Sequence, residues 1–279
     1  MCCDGLYQRY LAQRLKDEFE LIGLVLYKGP NSSRNLWVRV SRYFNPTRFF
    51  RYIVACSFHY FYWLRSRSYI QNIFFKNDIS PCFPNNIPTI RITDVNNQEA
   101  VSFVKNLAPD VVCVNGTNLL RKPMLELIPG IPFGIVNLHT GLSPYTRGGN
   151  CDLFALLEGH PELVGVTIHY INEGIDSGDI ILTARPDLKE GDIFEIVEAK
   201  SFKLGIDLMV VAIKQIVEGC AKRVKQWESG KLFLKRTGYV YEPYLRVKVN
   251  HFLKKGLVRD YLRNKEARDR GIKLIGDTV

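Results

Sequence analysis

Phe133–Asn150, FGIVNLHTGLSPYTRGGN, passes from strand to loop within a few residues. Phe133 to Leu138 reads as a buried strand that ends at polar residues. Asn137 and His139 lie two apart at its end, so their side chains project to one side while Leu138 points back to the core. Gly141, Pro144, Gly148 and Gly149 then force a turning loop along which a ligand can approach the backbone closely. Arg147 sits in this loop with the guanidinium fork that binds a phosphate or carboxylate.

Working outward, the flanking segments alternate in type. Asp110–Asn115, DVVCVN, is a continuous apolar run of the kind buried on both faces of a parallel sheet. Pro88–Ile92 predicts a short strand, and Asn97–Leu107 a helix with Asp94 as its cap. Arg121–Leu127 and Cys151–Glu158 predict short helices, Leu163–Ile171 and Asp179–Arg185 strands, and Asp192–Val217 a long helix. Near the N-terminus, Gly5–Phe19 has helical spacing and Glu20–Tyr27 reads as a buried strand. Only Met1-Cys2-Cys3 precede that helix, so a first strand there is very short or absent. The class is α/β: a mostly parallel sheet with helices on both faces, in which ligands sit beyond the carboxyl ends of the strands.

A second stretch, Gly165–Ile181, reads GVTIHYINEGIDSGDII and sets Asp176 in a tight loop between Gly174 and Gly178. An imidazole titrates near neutral pH, a nearby carboxylate orients it, and an amide can donate to a developing oxyanion. That set suits acyl transfer. Spacing alone leaves open the alternative that Asn137, His139 and Asp176 are turn residues satisfying loop backbone.

With 279 residues and 46% hydrophobic content, the chain can bury a sizeable core. We divide it into a catalytic domain over 1–218, with a basic aromatic insert at 28–76, and a basic extension over 219–279. The net charge of +10 equals that of the extension, which holds 16 Lys or Arg against 6 Asp or Glu. The insert carries 9 basic residues, no acidic one, and 14 of the 33 aromatic residues. Asn45-Pro46 predicts a helix start there, running to about Arg67. Such a helix lies on a membrane surface or packs against the core or a second subunit. The segment Phe49–Leu64 is too short, and too interrupted by Arg51 and His59, to span a bilayer. Seven cysteines without a zinc spacing fit a reducing cytosol and no metal site, and a cytoplasmic location is expected.

NLHTGLSPYTRGG and GIDSGDII together resemble the hallmarks of the 10-formyltetrahydrofolate-dependent formyltransferases: Asn-x-His before a Pro-containing turn with Arg-Gly, then an Ile-Asp-x-Gly loop. Ala108–Leu120 also looks like that family's folate-side strand and loop. The resemblance implies a Rossmann-like fold with Asn137, His139 and Asp176 as the catalytic trio. Asn118, Leu119, Leu120, Ile171, Glu173 and Ile175 would hold 10-formyltetrahydrofolate, and Arg147 and Gly148 the acceptor. Two departures stand out: Thr140 replaces the Pro that many members carry after the histidine, and Asn118 replaces a charged residue found in some relatives.

The family's methionyl-tRNA members carry a C-terminal domain resembling an oligonucleotide-binding barrel. Lys231–Tyr241 suggests a hairpin and Asn250–Asn264 a helix, which resembles the tails of amino-sugar formyltransferases instead. The expected acceptor is therefore the primary amine of a nucleotide-linked sugar. Methionyl-tRNA formylation, hydrolysis of formyltetrahydrofolate and a non-catalytic folate-fold binding role are the alternatives. A homodimer and membrane-surface contact through 28–76 are further expectations, with tRNA disfavoured.

Overall fold

The computed structural model describes residues 1–29, 45–76 and 79–276. Residues 30–44 of the insert, residues 77–78, and the last three residues of the extension lie outside the described residues. β1 (Cys2–Cys3) is two residues long and pairs in parallel with β2 (Leu24–Tyr27), which pairs in parallel with β3 (Thr89–Ile92). A second ladder runs β4 (Val112–Val114), β5 (Ile135–His139), β7 (Val166–Tyr170) and β8 (Ile180–Ala184). The short β1 joins the two ladders. Cys2 bridges Asn115 in parallel, Asn115 N–H donates to Met1 O, and the terminal ammonium donates to Cys113 O at 2.7 Å. The strand order is therefore β3-β2-β1-β4-β5-β7-β8, parallel as far as β5 and antiparallel at β7 and β8. Two residues suffice for β1 because it lies between neighbours that satisfy its backbone on both sides.

Apolar residues cover both faces of the sheet. On one face Val136, Leu138 and Ile168 meet α1 (Leu6–Glu18) and the long α6 (Phe194–Val217). On the other, Val112, Val114 and Ile135 meet α3 (Gln98–Leu107) and α4 (Lys122–Leu125). Alternation along β5 thus places Leu138 toward α6 and leaves Asn137 and His139 at the strand's carboxyl end on the opposite side.

Several predicted boundaries move, each for a local reason. Asn97, not Asp94, caps α3 through Ala100 N–H, because Asp94 Oδ1 is already taken by Asn96 and Asn118. The strand predicted from Glu20 begins at Leu24. The insert helix α2 spans Pro46–Phe74 and starts as expected, with Asn45 Oδ1 accepting from Thr47 and Arg48 N–H. It runs past Arg67 because Phe74 packs against Tyr7 and Tyr10, extending its buried seam.

The extension does not form the predicted hairpin. Its strand β9 (Lys231–Phe233) pairs in parallel with β6 (Thr146–Gly148) in the turning loop. Asn250–Asn264 is not one helix either: α7 (Tyr244–Lys254) and α8 (Leu257–Arg263) are separated at Gly256, whose φ is +99°. A last short helix, α9 (Lys265–Asp269), is tied back by a two-pronged pair, Arg185 to Asp269, at 2.6 and 2.7 Å. α7 seats against α5 (Cys151–Leu157) and α6, where Asn250 receives Phe194 N–H and donates to Glu195.

Candidate active site

The carboxyl ends of β4 and β5 open into a cleft of about 400 Å³. Asn137, His139 and Asp176 meet at its base, although Asp176 is 37 residues beyond His139 in the chain. The antiparallel register of β5 on β7 sets Asn137 opposite His169 and His139 opposite Thr167. Thr167 Oγ1 accepts from Ser143 N–H and donates to Gly141 O, which pins the turning loop over the sheet.

His169 belongs to the constellation, a residue sequence reasoning missed. Its Nδ1 lies 2.8 Å from Tyr170 O, and a carbonyl only accepts, so Nδ1 carries the proton and Nε2 is bare. Nε2 therefore accepts from Asn137 Nδ2 at 3.1 Å. The second Asn137 N–H reaches Asp176 Oδ1 at 3.3 Å. These two partners orient the Asn137 amide. The signal was present in Gly165–Ile181, where Thr167 and His169 alternate with the core residues Val166 and Ile168.

Asp176 adopts left-handed backbone, φ +45°, which carries its carboxylate inward from a tight turn. Oδ2 accepts from Gly148 N–H at 2.9 Å and lies 3.6 Å from His139 Nδ1. Gly148 has φ +100°, and a side chain there would begin 2.5 Å from Phe233 O, so only glycine lets β6 meet β9 and still present this N–H. Gln226, also missed from sequence, holds the outer side of the turn by donating to Asp176 O at 2.8 Å and Gly178 O at 2.9 Å.

His139 is buried, and its Nε2 lies 3.2 Å from Thr146 O and 3.5 Å from Cys151 Sγ. Gly141 makes that space: a Cβ there would stand 2.4 Å from Nε2. Burial pulls the His139 pKa below its ordinary value, only partly opposed by Asp176, so the ring is neutral at pH 7. Burial pushes Asp176 the other way, but the N–H groups of Gly148 and Asn137 that point at its two oxygens, with the polar rings of His139 and His169 beside them, overcome it and hold the carboxyl well below the usual range. With His139 neutral, we attribute the stability of that charge mainly to the N–H donors. Cys151 stays a thiol, since burial and the carboxylates of Asp176 and Asp152 push its pKa well up.

Five of the six residues expected to hold folate line the cleft: Asn118, Leu119, Leu120, Ile171 and Ile175. Glu173 is exposed and does not line it. Asn118 Nδ2 donates to Asp94 and its Oδ1 accepts from Val95 N–H, so its side chain braces the loop. Leu119, Leu120, Ile171 and Ile175 give the cleft apolar walls between backbone-rich loops, which fits a flat heteroaromatic group. Leu119 is 44% exposed at the rim, a leucine available to such a ligand. Of the expected acceptor residues, Gly148 lines the cleft and Arg147 does not. Gln8 and Asn115 line the inner wall, where Gln8 donates to Asn115 Oδ1 at 2.7 Å and Asn115 donates to Leu138 O at 2.8 Å. Among the described residues, no group of three or more His, Cys, Asp or Glu could hold a metal ion.

An amide, a neutral imidazole and a half-buried carboxylate meet at the strand ends of a Rossmann-like sheet, a set suited to acyl transfer. Residues 76–213 match the formyl transferase family model. A methionyl-tRNA formyltransferase of Kosmotoga olearia is 34% identical over 143 residues, covering 51% of this chain and 45% of that protein. One of Clostridioides difficile is 33% identical over 143 residues, with the same coverage. The chain spans about half the length of the curated relatives it matches. Among solved structures, phosphoribosylglycinamide formyltransferase from Anaplasma phagocytophilum aligns with a TM-score of 0.51 at 15% identity, covering 83% of this chain and 95% of that one. The Bacillus halodurans enzyme gives 0.50 at 20% identity, covering 77% and 92%. At these identities the two structures establish the fold alone.

Proposed function

We propose that this protein transfers the formyl group of 10-formyltetrahydrofolate to a primary amine, carried on a nucleotide-linked amino sugar. The observation that carries the reading is Asp176, whose two oxygens reach Asn137, His139 and the Gly148 N–H at the base of one cleft. The co-substrate supplies an activated formyl group on N10. The amine nitrogen forms a bond to the formyl carbon, the bond from that carbon to N10 breaks, and the amine proton passes to N10. Rotation of the Asn137 amide about its side-chain axis turns an N–H from Asp176 to the developing oxyanion. Asp176 remains ionised to draw the proton from the amine, directly or through a water, and neutral His139 relays it.

The amino-sugar acceptor draws support from the extension. Its described residues fold as helices α7–α9 and a strand laid on the turning loop. Methionyl-tRNA is the second reading, favoured by the names of the relatives matched and by the basic charge. The test is turnover of 10-formyltetrahydrofolate with a panel of nucleotide amino sugars, with methionyl-tRNA, and with no acceptor. Formamide product on a sugar supports the reading. Formate release that no acceptor redirects makes the protein a hydrolase, and a folded His139→Ala or Asp176→Ala variant with near-normal turnover removes the assignment.

A further inference from the structure

The insert helix α2 (Pro46–Phe74) presents an apolar arc away from the protein. Ala55, Tyr62 and Ser66 form its buried seam. Phe49, Ile53, Tyr60 and Leu64 recur at steps of four, seven and four residues, which places them together on the opposite side, with Phe50 and Phe61 alongside. These six are 47–67% exposed, a contiguous hydrophobic surface of the kind that marks an interaction site.

We infer that this face of α2 docks the protein on an anionic lipid surface. The charge on the helix selects the partner. Arg48, Arg51, Arg65 and Arg67 are its charged residues, Lys76 follows its end, Arg51 faces Glu242 of the extension at 3.8 Å, and no carboxylate occurs between Asn45 and Lys76. Helix α7, which packs against α2, adds exposed Lys248 and Lys254, with Lys255 just beyond. A second copy meeting this face would bring two carboxylate-free basic helices together, at a cost in like-charge repulsion. A bilayer with anionic headgroups instead takes the aromatic side chains at its interface and pairs with the arginines and lysines around them. Tyr60 and Trp63, stacked at 5.9 Å, are of the amphipathic type that sits at headgroup level. At 29 residues the helix is about 44 Å long. No helix among the described residues is long and apolar enough to cross a membrane, so the contact lies along the surface.

The test is sedimentation of the full chain with phosphatidylcholine vesicles and with vesicles in which a quarter of the lipid is phosphatidylglycerol. Binding is expected to the anionic vesicles only. It should fall at least tenfold in Phe50→Asp/Phe61→Asp and in Arg48→Glu/Arg67→Glu, and weaken with added salt. Unchanged melting temperatures keep the variants interpretable, since all four side chains are exposed. Failure to bind anionic vesicles would overturn the inference. So would equal binding to neutral vesicles, undiminished binding by Phe50→Asp/Phe61→Asp, or a dimer by light scattering that those substitutions dissolve. The outcome is independent of formyl transfer, which is measured separately on the same variants.

Discussion

Gln226→Leu should impair turnover while leaving the protein folded. Gln226 lies in the basic extension, 50 residues beyond Asp176, and its single amide nitrogen serves both Asp176 O and Gly178 O. Its Oε1 is buried without a partner, so these two carbonyls alone set the side chain's orientation. Leucine fills similar volume and donates nothing. Each lost hydrogen bond is worth about 1 kcal/mol net. Asp176 holds φ +45°, which costs a non-glycine residue ~1 kcal/mol that an open turn would recover. Losing both bonds, against a strain that is already there, shifts the turn toward conformers with a displaced carboxylate by about 2 kcal/mol, enough to lower turnover up to roughly 30-fold if only the closed turn reacts. The assay is consumption of 10-formyltetrahydrofolate under saturating acceptor, with thermal unfolding in parallel. The melting temperature should move by a few degrees at most, because the turn is peripheral to both main core clusters. Turnover within twofold of the parent protein would refute the claim that the extension holds the carboxylate in place.

Three further outcomes follow from the same geometry. His169→Leu removes the acceptor that aims the Asn137 amide and should cut turnover at least tenfold; retained activity in a folded variant would remove His169 from the site. Since burial lowers the His139 pKa, the acid limb of a pH–rate profile should fall below the ordinary histidine value of about 6.5, and a limb above that value would contradict a neutral, buried ring. Asp152 is buried against Ser201 and Gly165, and burial pushes its pKa up to about 7. A pKa raised in the folded state means stability that is complete below about pH 4 and declines as pH rises through 7, a loss of up to ~4 kcal/mol from this group. Denaturant unfolding of Asp152→Asn should therefore show a flatter dependence between pH 5 and 8, and an unchanged slope would count against that origin.

Much of the architecture could be read from local pattern. DVVCVN is a continuous apolar run and FGIVNLH an apolar one that ends in polar residues, and the order of strands and helices around them leaves few topologies other than a doubly covered sheet. β1 was the weak point, because two residues carry no periodicity. Only pairing to β2 and the Asn115 bridge makes them a strand. The Lys231–Tyr241 hairpin was misread because its partner was β6, about 85 residues earlier, and residue type does not encode which free edge a strand will find.

The site divides in the same way. Asn137, His139 and Asp176 were legible because glycines and a proline confine polar residues to short turns at strand ends, a local constraint written in composition. His169, Gln226 and the Gly148 N–H were not, since each acts through a partner 28 to 50 residues distant in the chain. Glu173 and Arg147 looked suitable by type and neighbourhood, yet neither lines the cleft. Sequence by itself determined the family resemblance, the sheet class and the candidate site residues, because periodicity, turn chemistry and motif are properties of neighbours along the chain. Tertiary structure alone decided which tautomer His169 takes, how the Asn137 amide turns, and that the basic extension braces the turn that carries the Asp176 carboxylate. Those depend on strand register and on hydrogen bonds that close only when distant segments meet.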